Sequence, residues 1–362
     1  MAALLKEVYT KEYIEHLAST VLTYYPSLDK TQLVQGIFNT QWPQMELKAR
    51  TLHITQQLHC FITLNYRDAL QIIKHIAPYF TGYEGLFVPA FVELYGIDDP
   101  QASLDALAYI TTFASAEFAV RPFIKKYPEL MQQTLLRWAV SENKHVRRLA
   151  SEGCRPRLPW AMSLPAFKKD PHFILPVLQL LRDDESEYVR RSVANNLNDI
   201  AKDHPQSVTH IAQQWLAESQ SLSRQRLVKH ACRTLLKQAD PMALSLFGFL
   251  PPEDIHVTDF LYNNSVPFGG ELHFSCLLKQ QKDLPLNKLR IEFAIDFMKK
   301  NGKQARKIFQ LSEAVIKASS KKISKTFSFK KISTRQYYAG QHSVAILING
   351  VELVKNDFIL QH

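Results

Sequence analysis

One phrase of the sequence recurs at a spacing that constrains the fold more than any other feature. HVRRLASEG at 145–153 and YVRRSVANNLNDIA at 188–201 share an aromatic residue or histidine, then Val-Arg-Arg, then small or apolar residues. Val146 and Val189 are 43 residues apart, and a looser copy, RLVKHACRTLL, follows at 226–236. Amphipathic helices carry such phrases by chance, but helix pairs that repeat about every 40 residues are typical of HEAT-type solenoids. The spacing therefore predicts a helical repeat array.

The first 250 residues show helical periodicity in segment after segment. LDALAYITTFASAEFAV and PQSVTHIAQQWLAES place apolar residues at i, i+3, i+4 and i+7. Prolines fall mainly between such segments, where helix breaks are expected. Glycine is scarce, at 11 residues, which disfavours a glycine-looped nucleotide fold. The sequence predicts an all-α HEAT-like repeat solenoid over residues 1–252.

After Pro251-Pro252 the apolar period changes from helical to two. GELHFSCLLK, KLRIEFAIDF, ARKIFQLSE, KTFSFKKI and HSVAILING alternate or are rich in β-branched and aromatic residues, and Asn301-Gly302 and Asn349-Gly350 are hairpin-turn dipeptides. At least six strands in roughly 105 residues fit a small antiparallel sandwich. We predict a small all-β immunoglobulin-like sandwich over residues 257–362, although a Cys…Trp…Cys pattern is lacking.

The net charge of +10 is concentrated in this second region. Residues from His256 onward hold 17 basic and 8 acidic residues, which accounts for +9. A basic balance favours a polyanionic partner, with nucleic acid ahead of membrane lipid. The run 317–335 interleaves lysines, among them Lys321 and Lys322, with aromatic residues. Contact with a nucleic-acid backbone is favoured there over a solvated strand face, so the sandwich is expected to act as a DNA clamp.

Several classes of protein are excluded by what the sequence lacks. The sequence contains no P-loop, GxGxxG, HExxH or GxSxG motif, and its four cysteines are far apart. No run reaches the roughly 18–20 apolar residues of a membrane span, and charges interrupt the N-terminus where a secretory signal would be apolar. We expect a cytoplasmic protein with no metal, no nucleotide and no other cofactor, whose chemistry runs on carboxylates, aromatic rings and bound water.

The densest unusual stretch is SEGCRPRLPW at 151–160, directly after the first Val-Arg-Arg phrase. A solenoid repeat does not need a glycine, two prolines and a tryptophan in one turn. Gly153 is predicted to end the helix after Glu152. Pro156 and Pro159 are predicted to stiffen the loop and project Trp160 at a fixed angle.

This stretch, together with SAEFAVRPF at 115–123 and VRRSVANNLNDIAKDHP at 189–205, resembles the AlkC branch of the AlkC/AlkD DNA alkylation repair glycosylases. The resemblance covers essentially the whole helical region, and the C-terminal immunoglobulin-like domain is found in part of that branch. It implies hydrolysis of the N-glycosidic bond of cationic alkylated bases such as 3-methyladenine, 3-methylcytosine and 1-methyladenine. It also implies that the lesion is exposed by distorting duplex DNA and not by flipping the base into a closed pocket.

The resemblance implies four catalytic residues. Glu152 would be the central carboxylate, Trp160 the aromatic wall, and Glu117 and Asp199 companion carboxylates, 35 and 47 residues away and thus about one repeat on either side. Each has an alternative interpretation. Glu117 would pair with Arg121 and Glu152 with Arg148, Asp199 would be a solvated helix residue next to Lys202 and Asp203, and Trp160 would fill a gap between repeats.

Cations around these motifs are predicted to face DNA phosphates, the alternative being salt bridges within the protein. They are Arg147, Arg148, Arg155, Arg157, Arg190 and Arg191. A second set, Arg226, Lys229 and Arg233, continues to Lys237 in steps of 3, 4 and 4 and contains no acid. These steps predict that the four side chains share one helix face, and such a single-sign stripe favours a DNA-phosphate track over a solvated face.

The leading hypothesis is a monomeric, monofunctional DNA glycosylase that acts on double-stranded DNA containing alkylated bases. No lysine in the motifs is placed for Schiff-base lyase chemistry. The alternative is a non-catalytic HEAT-repeat scaffold that binds distorted or branched DNA. A scaffold would gain nothing from carboxylates in a DNA-binding groove, because they repel DNA. A scaffold whose basic sandwich binds an acidic protein partner is the third hypothesis.

Overall fold

The computed structural model describes residues 5–282, 284–332 and 335–361. These residues form two compact units. The first contains the described residues up to His204 together with Trp215–Ala231, and the second contains Pro205–Gln214 together with the described residues from Cys232 onward. No helix in the described ranges is long and apolar enough to cross a membrane.

Helices make up the first unit and the first part of the second. In chain order they are α1 Lys11–Tyr24, α2 Lys30–Ile37, α3 Leu47–Phe61, α4 Tyr66–Ile76, α5 Phe87–Tyr95, α6 Pro100–Ile110, α7 Arg121–Lys126, α8 Pro128–Ala139, α9 Lys144–Gly153, α10 Pro165–Lys169, α11 Leu175–Leu181, α12 Glu187–Ile200, α13 Pro205–Glu218, α14 Leu222–Ala231, α15 Arg233–Lys237 and α16 Pro241–Leu246.

The helices of the first unit pack in two layers. In one layer, which we call the inner row, α1, α4, α6, α9, α12 and α14 each pack against the next. In the other layer α3 packs against α5 and α8 against α11, and the two layers meet where α5 packs against α6, α8 against α9, and α11 against α12. The unit is thus a helical repeat body in which successive inner helices lie side by side.

Short polar side chains and prolines set where several of the helices begin. The Asn143 side chain accepts the backbone N–H of His145 at 2.8 Å and caps α9, and Asp99 caps α6. Pro100, Pro128 and Pro205 are the first residues of α6, α8 and α13, where a missing N–H costs nothing. These three of the prolines predicted to separate helices therefore lie at helix N-termini.

The second unit contains α15, α16 and two β-sheets. Its strands are β1 Ile255–Tyr262, β2 Ser265–Pro267, β3 Glu271–Gln280, β4 Asn287–Met298, β5 Gln304–Ile316, β6 Ser320–Ser328, β7 Gly340–Ile348 and β8 Val351–Gln361. One sheet has the order β1-β3-β6 and the other β2-β8-β7-β4-β5. Pairing is antiparallel except between β2 and β8. Phe274, Phe293 and Phe329 lie in the core of this all-β domain.

Turns of the second unit lie where the sequence places hairpin dipeptides. Asn349 and Gly350 join β7 to β8 with φ of 47° and 81°, as a type I′ turn requires. The Asn349 side chain also donates to Leu250 O at 2.7 Å and accepts from Arg290 N at 2.8 Å. The turn is therefore bonded to the segment before β1, and the predicted boundary at 252–257 falls inside this compact unit.

Candidate active site

The stretch 151–160 begins in the last turn of α9, where the close approach of Val120 leaves no space for a side chain at Gly153. Gly153 is the last residue of α9, and a Cβ there would lie 2.5 Å from Val120 Cγ1. The helix ends through Cys154, whose N–H donates to Glu152 O. Gly153 does not have a positive φ. α9 therefore ends at Gly153 as predicted, but without a left-handed glycine, and the missing side chain lets α9 approach the segment before α7.

Arg121 holds the loop that follows. Its side chain is fully buried, Nε donates to Met162 O at 2.8 Å, and Nη1 donates to Gly153 O at 2.8 Å and Arg155 O at 2.9 Å. Burial lowers the pKa of this guanidinium to about 10. The second terminal nitrogen, Nη2, is buried without a hydrogen-bond partner. Arg121 therefore joins both ends of the loop.

Trp160 protrudes from this loop. Its φ is +65° and 74% of its surface is exposed. A left-handed conformation costs a residue other than glycine on the order of 1 kcal/mol and persists only where its surroundings enforce it. Lys48 Nζ donates to Trp160 O at 3.2 Å. Lys48 and Arg121 thus hold the backbone that presents the indole.

Three carboxylates and three cations alternate from the turn before α7, along the second half of α9 and the loop after it, to the C-terminal end of α12, and we call them the charge row. Arg148 Nη1 donates to Glu117 Oε2, and Arg148 Nη2 lies 3.6 Å from Glu152 Oε1. Arg155 Nη1 donates to Glu152 Oε1 at 2.6 Å, and its Nε donates to Asp199 Oδ2 at 2.9 Å. Lys202 completes the charge row, 3.1 Å from Asp199 Oδ1. The structure thus brings Glu117, Glu152 and Asp199 together through guanidinium groups.

The electrostatics of Arg148 and Arg155 follow from these partners. Burial lowers the pKa of Arg148, but Glu117 and Glu152 outweigh it, and the pKa is raised overall. The pKa of Arg155 is raised in the same way, against burial, by Glu152 and Asp199. Both groups are therefore fixed cations that orient the carboxylates.

A cavity of ≈ 550 Å³ opens beside the charge row. Its wall includes Glu117, Glu152, Arg155, Trp160 and Tyr188. The three carboxylates differ in access. The exposed fraction of the side chain is 15% for Glu117, 7% for Glu152 and 2% for Asp199. Asp199 is outside the cavity wall and forms ion pairs with Arg155 and Lys202.

Tyr188 and His145, which the sequence analysis missed, line the same cavity. Their rings meet edge to face with centroids 5.7 Å apart, and the Arg148 guanidinium lies 5.2 Å from the Tyr188 centroid. Burial raises the pKa of Tyr188 and lowers the pKa of His145. A signal was available, because these residues occupy the same first position of the recurring phrase, 43 residues apart.

Comparisons with known proteins found similar sequences and a similar structure. Residues 105–235 match the family described as "DNA alkylation repair enzyme", and residues 256–362 match "Uncharacterised protein YhaZ, C-terminal Ig-like domain". The chain is 41% identical to the uncharacterized protein YhaZ of Bacillus subtilis over 348 residues, 96% of each chain. It also superimposes on the alkylpurine DNA glycosylase AlkC of Pseudomonas fluorescens, bound to DNA containing an abasic site analog, with a TM-score of 0.94, 34% identity and coverage of 99% of this chain and 100% of that one.

The chain belongs to the AlkC family of DNA alkylation repair enzymes. It carries the C-terminal immunoglobulin-like domain of the YhaZ type. The resemblance drawn from the motifs around Glu117, Glu152 and Asp199 is confirmed at the level of the family.

Several arginines predicted to face DNA are engaged inside this AlkC-family chain. Arg147 is buried, with Nε 2.6 Å from Asp184 Oδ2 and Nη1 donating to the backbone of Ser141 and Glu142. Arg148 and Arg155 belong to the charge row. For these three the bonds to nearby carboxylates and carbonyls favour the alternative of salt bridges within the protein over a phosphate contact.

The remaining predicted DNA contacts vary in exposure. Arg157 forms a two-pronged pair with Asp203, with Nη2 2.6 and 2.9 Å from its oxygens, and stays partly exposed. Arg190 donates to the backbone carbonyls of Asp184 and Glu185. The exposed cations are Arg191, Arg226, Arg233 and Lys322, while Lys229 and Lys321 are half-buried.

The stripe predicted from Arg226 to Lys237 is not one continuous helix. α14 ends at Ala231, and α15 begins at Arg233 after Cys232, whose φ and ψ are −86° and 5°. The assumption of a single helix was therefore wrong, and the spacing of 3, 4 and 4 does not place these cations on one helix face.

Proposed function

We propose that this chain is a monofunctional DNA glycosylase that hydrolyses the N-glycosidic bond of cationic alkylated bases in duplex DNA, of the class of 3-methylcytosine, 3-methyladenine and 1-methyladenine. The observation that carries the proposal is the charge row opening into a cavity, where Glu117 and Glu152 lie beside Trp160 and Tyr188. The structurally similar AlkC of Pseudomonas fluorescens is named an alkylpurine DNA glycosylase. We interpret the two-layered helical body as the HEAT-like repeat of that branch.

A cationic base is already a good leaving group, so no strong general acid is required. Positive charge develops at C1′ of the deoxyribose as the bond breaks, and a carboxylate fixed nearby stabilises it. Glu152 is fixed in this way by Arg155 at 2.6 Å and Arg148 at 3.6 Å. The same carboxylate, or the more exposed Glu117, orients the attacking water. No reorganisation of the carboxylates is needed during the reaction.

The aromatic walls complement the charge of the lesion. Rings attract cations at their faces by about 0.5–2 kcal/mol. Trp160, 74% exposed on a held loop, meets the damaged nucleotide at the DNA surface, so the base need not enter a closed pocket. Asp199 accepts a hydrogen bond from Arg155 and acts as a positioning residue for it. Exposed Lys322 and half-buried Lys321 on β6 bind the DNA backbone.

The test is the product formed from duplex oligonucleotides carrying 3-methylcytosine or 3-methyladenine. We expect release of the free base and an abasic strand that stays intact until it is heated in alkali. Strand cleavage by the protein itself would contradict the monofunctional assignment. Tight DNA binding without base release from either substrate would favour the non-catalytic scaffold instead.

A further inference from the structure

Aromatic side chains cluster at the ends of the three inner helices that precede the charge row, and none is used by the proposed chemistry. We call them the aromatic tract, and its members are Tyr24, His75, Tyr79, Tyr83, Tyr109 and Phe113. Tyr79, Tyr83 and Tyr109 are 54%, 42% and 41% exposed. Large side chains are seldom left exposed together without a partner.

Direct contacts join the tract across the helix ends. The Tyr24 and Tyr79 hydroxyls are 3.1 Å apart, and the Tyr24 ring stacks on His75 with centroids separated by 4.9 Å. Lys74 Nζ lies 5.7 Å from the Tyr109 centroid, and Tyr109 meets Phe113 edge to face at 5.3 Å. These contacts place the ends of α1, α4 and α6 at one edge of the inner row.

The tract continues into the candidate active site. Phe113 and Tyr83 line the cavity that Glu117, Glu152 and Trp160 also line. Gly82 N donates to Phe113 O at 3.0 Å, which ties the two aromatic loops together. One edge of the inner row therefore carries aromatic rings over its first three helices and the charge row over the next two.

The charge of this edge points to the chemistry of its occupant. Segments 16–28, 69–83 and 106–116, which carry the tract, contain no Asp or Glu, although the chain has 34 such residues. They contribute Lys74, two histidines and many hydroxyl groups instead. Acids flank the three segments at Glu15, Asp29, Asp68, Glu84, Asp105 and Glu117. Segments that themselves offer neutral donors, rings and a cation but no anion fit a polyanion with aromatic bases.

We propose that the aromatic tract binds DNA on one side of the damaged nucleotide, an inference that rests on the proposed function of the adjacent cavity. Tyrosine hydroxyls donate to phosphate oxygens, and the exposed rings pack on sugars and on bases loosened beside the lesion. Lys74 neutralises one phosphate. The tract thereby sets the position of the strand relative to Glu152 and Trp160.

The experiment measures Kd for a duplex containing an abasic-site analogue and the single-turnover excision of 3-methylcytosine, with the full chain. The test variant is Tyr79→Ala/Tyr109→Ala, and Leu180→Ala, which truncates a side chain of similar exposure (52%) on α11, is the matched control. We expect DNA binding to weaken at least about tenfold in the double variant and to be unchanged in the control. Because both sites are exposed, far-UV circular dichroism should be unaltered.

Two further variants separate the contributions and guard against a folding artefact. Tyr79→Phe/Tyr109→Phe keeps the rings and should recover part of the affinity. Lys74→Gln should lower the slope of log Kd against log salt concentration by about one. Wild-type affinity in the double alanine variant, or a Lys74→Gln slope equal to that of wild type, would overturn the proposal.

The outcomes distinguish this proposal from the proposed function. If wild type excises the base and the double variant binds DNA normally, the tract proposal fails and the glycosylase stands. If wild type binds DNA through the tract but releases no base, the glycosylase proposal fails and the tract is a DNA-binding surface. If wild type does not bind DNA, both are wrong.

Discussion

Two of the networks of alternating arginines and carboxylates among the described residues, one in each unit, differ in what surrounds them. In the charge row, Glu152 lies between Arg148 and Arg155. In the β-sheet of the second unit, Arg290 Nη2 is 2.7 Å from Glu292 and Arg290 Nη1 is 3.8 Å from Glu313. Burial is similar, since the side chains of Glu152 and Glu292 are 7% and 2% exposed.

The two networks differ in their access to a cavity and in whether aromatic rings surround them. The charge row faces a cavity with Trp160 and Tyr188, whereas the network of Arg290, which we call the sheet network, lies along β4 and β5 and belongs to packing between strands. A buried ion network is therefore not evidence of a site by itself, because structural pairs have the same appearance. The cavity and the rings distinguish the two, and the predictions below test that distinction.

Glu117 and Glu313 form a matched pair, with 15% and 17% of their side chains exposed. We expect Glu117→Gln to lower the single-turnover rate of 3-methylcytosine excision about a hundredfold, because a fixed charge at the reacting centre is lost. Glu313→Gln should leave that rate within about twofold of wild type, a difference of only ~0.4 kcal/mol in barrier height. Equal effects of the two substitutions would remove the distinction between the networks.

Arg121 tests whether the held loop matters to the charge row. Arg121→Ala leaves the carbonyls of Gly153, Arg155 and Met162 without their donor, and we expect a loss of about 3 kcal/mol in the free energy of unfolding. Arg121→Lys keeps the charge and should recover part of it. Urea denaturation gives the stability.

Excision kinetics separate a positioning role of Arg121 from a purely structural one. Below the unfolding transition, Arg121→Lys should lower the single-turnover rate while DNA affinity is retained. An Arg121→Lys protein with wild-type excision would show that the exact loop geometry is unimportant.

Tyr188 tests the aromatic wall. Tyr188→Ala removes the ring that lies beside Arg148 and the cavity, and excision should fall about threefold to tenfold. Tyr188→Phe keeps the ring and should stay near wild type. If Tyr188→Phe lowers the excision rate more than a few-fold, the hydroxyl group and not the ring is the essential feature.

The sheet network should give a pH effect on stability instead of activity. Burial raises the pKa of Glu292 above its ordinary 4.5, despite Arg290. A carboxyl group with a raised pKa in the folded state stabilises most below the unfolded pKa and loses that stability as pH rises through the folded pKa. Urea denaturation from pH 4.5 upward should therefore show wild type losing stability relative to Glu292→Gln. A constant difference between them would contradict this.

Much of the fold was predictable because its signals are periodic. The recurring phrase predicted helical repeats, and the change to period two predicted a β domain with a turn at Asn349-Gly350. The family resemblance singled out Glu117, Glu152 and Asp199 at separations of about one repeat, and in the structure they are joined through Arg148 and Arg155.

The partners of each charge could not be predicted, because they depend on neighbours distant in sequence. Arg147 and Arg148 are adjacent, yet one pairs with Asp184 and the other with Glu117, since successive helical residues point about 100° apart. Likewise the helix break at Cys232 could not be predicted, because there is neither a glycine nor a proline at the break. The contacts that Arg121 makes with loop carbonyls could not be predicted either, because backbone carbonyls are present at every position whatever the residue type.

The most direct test of the central claim is the single-turnover excision of 3-methylcytosine by wild type and Glu152→Gln, with Kd for the same duplex measured in parallel. Glu129→Gln, at an exposed position of α8, is the matched control. We predict that Glu152→Gln loses excision about a hundredfold or more while it binds DNA as well as wild type or better, and that Glu129→Gln is unchanged. Wild-type excision by Glu152→Gln would contradict the claim that the charge row performs the chemistry.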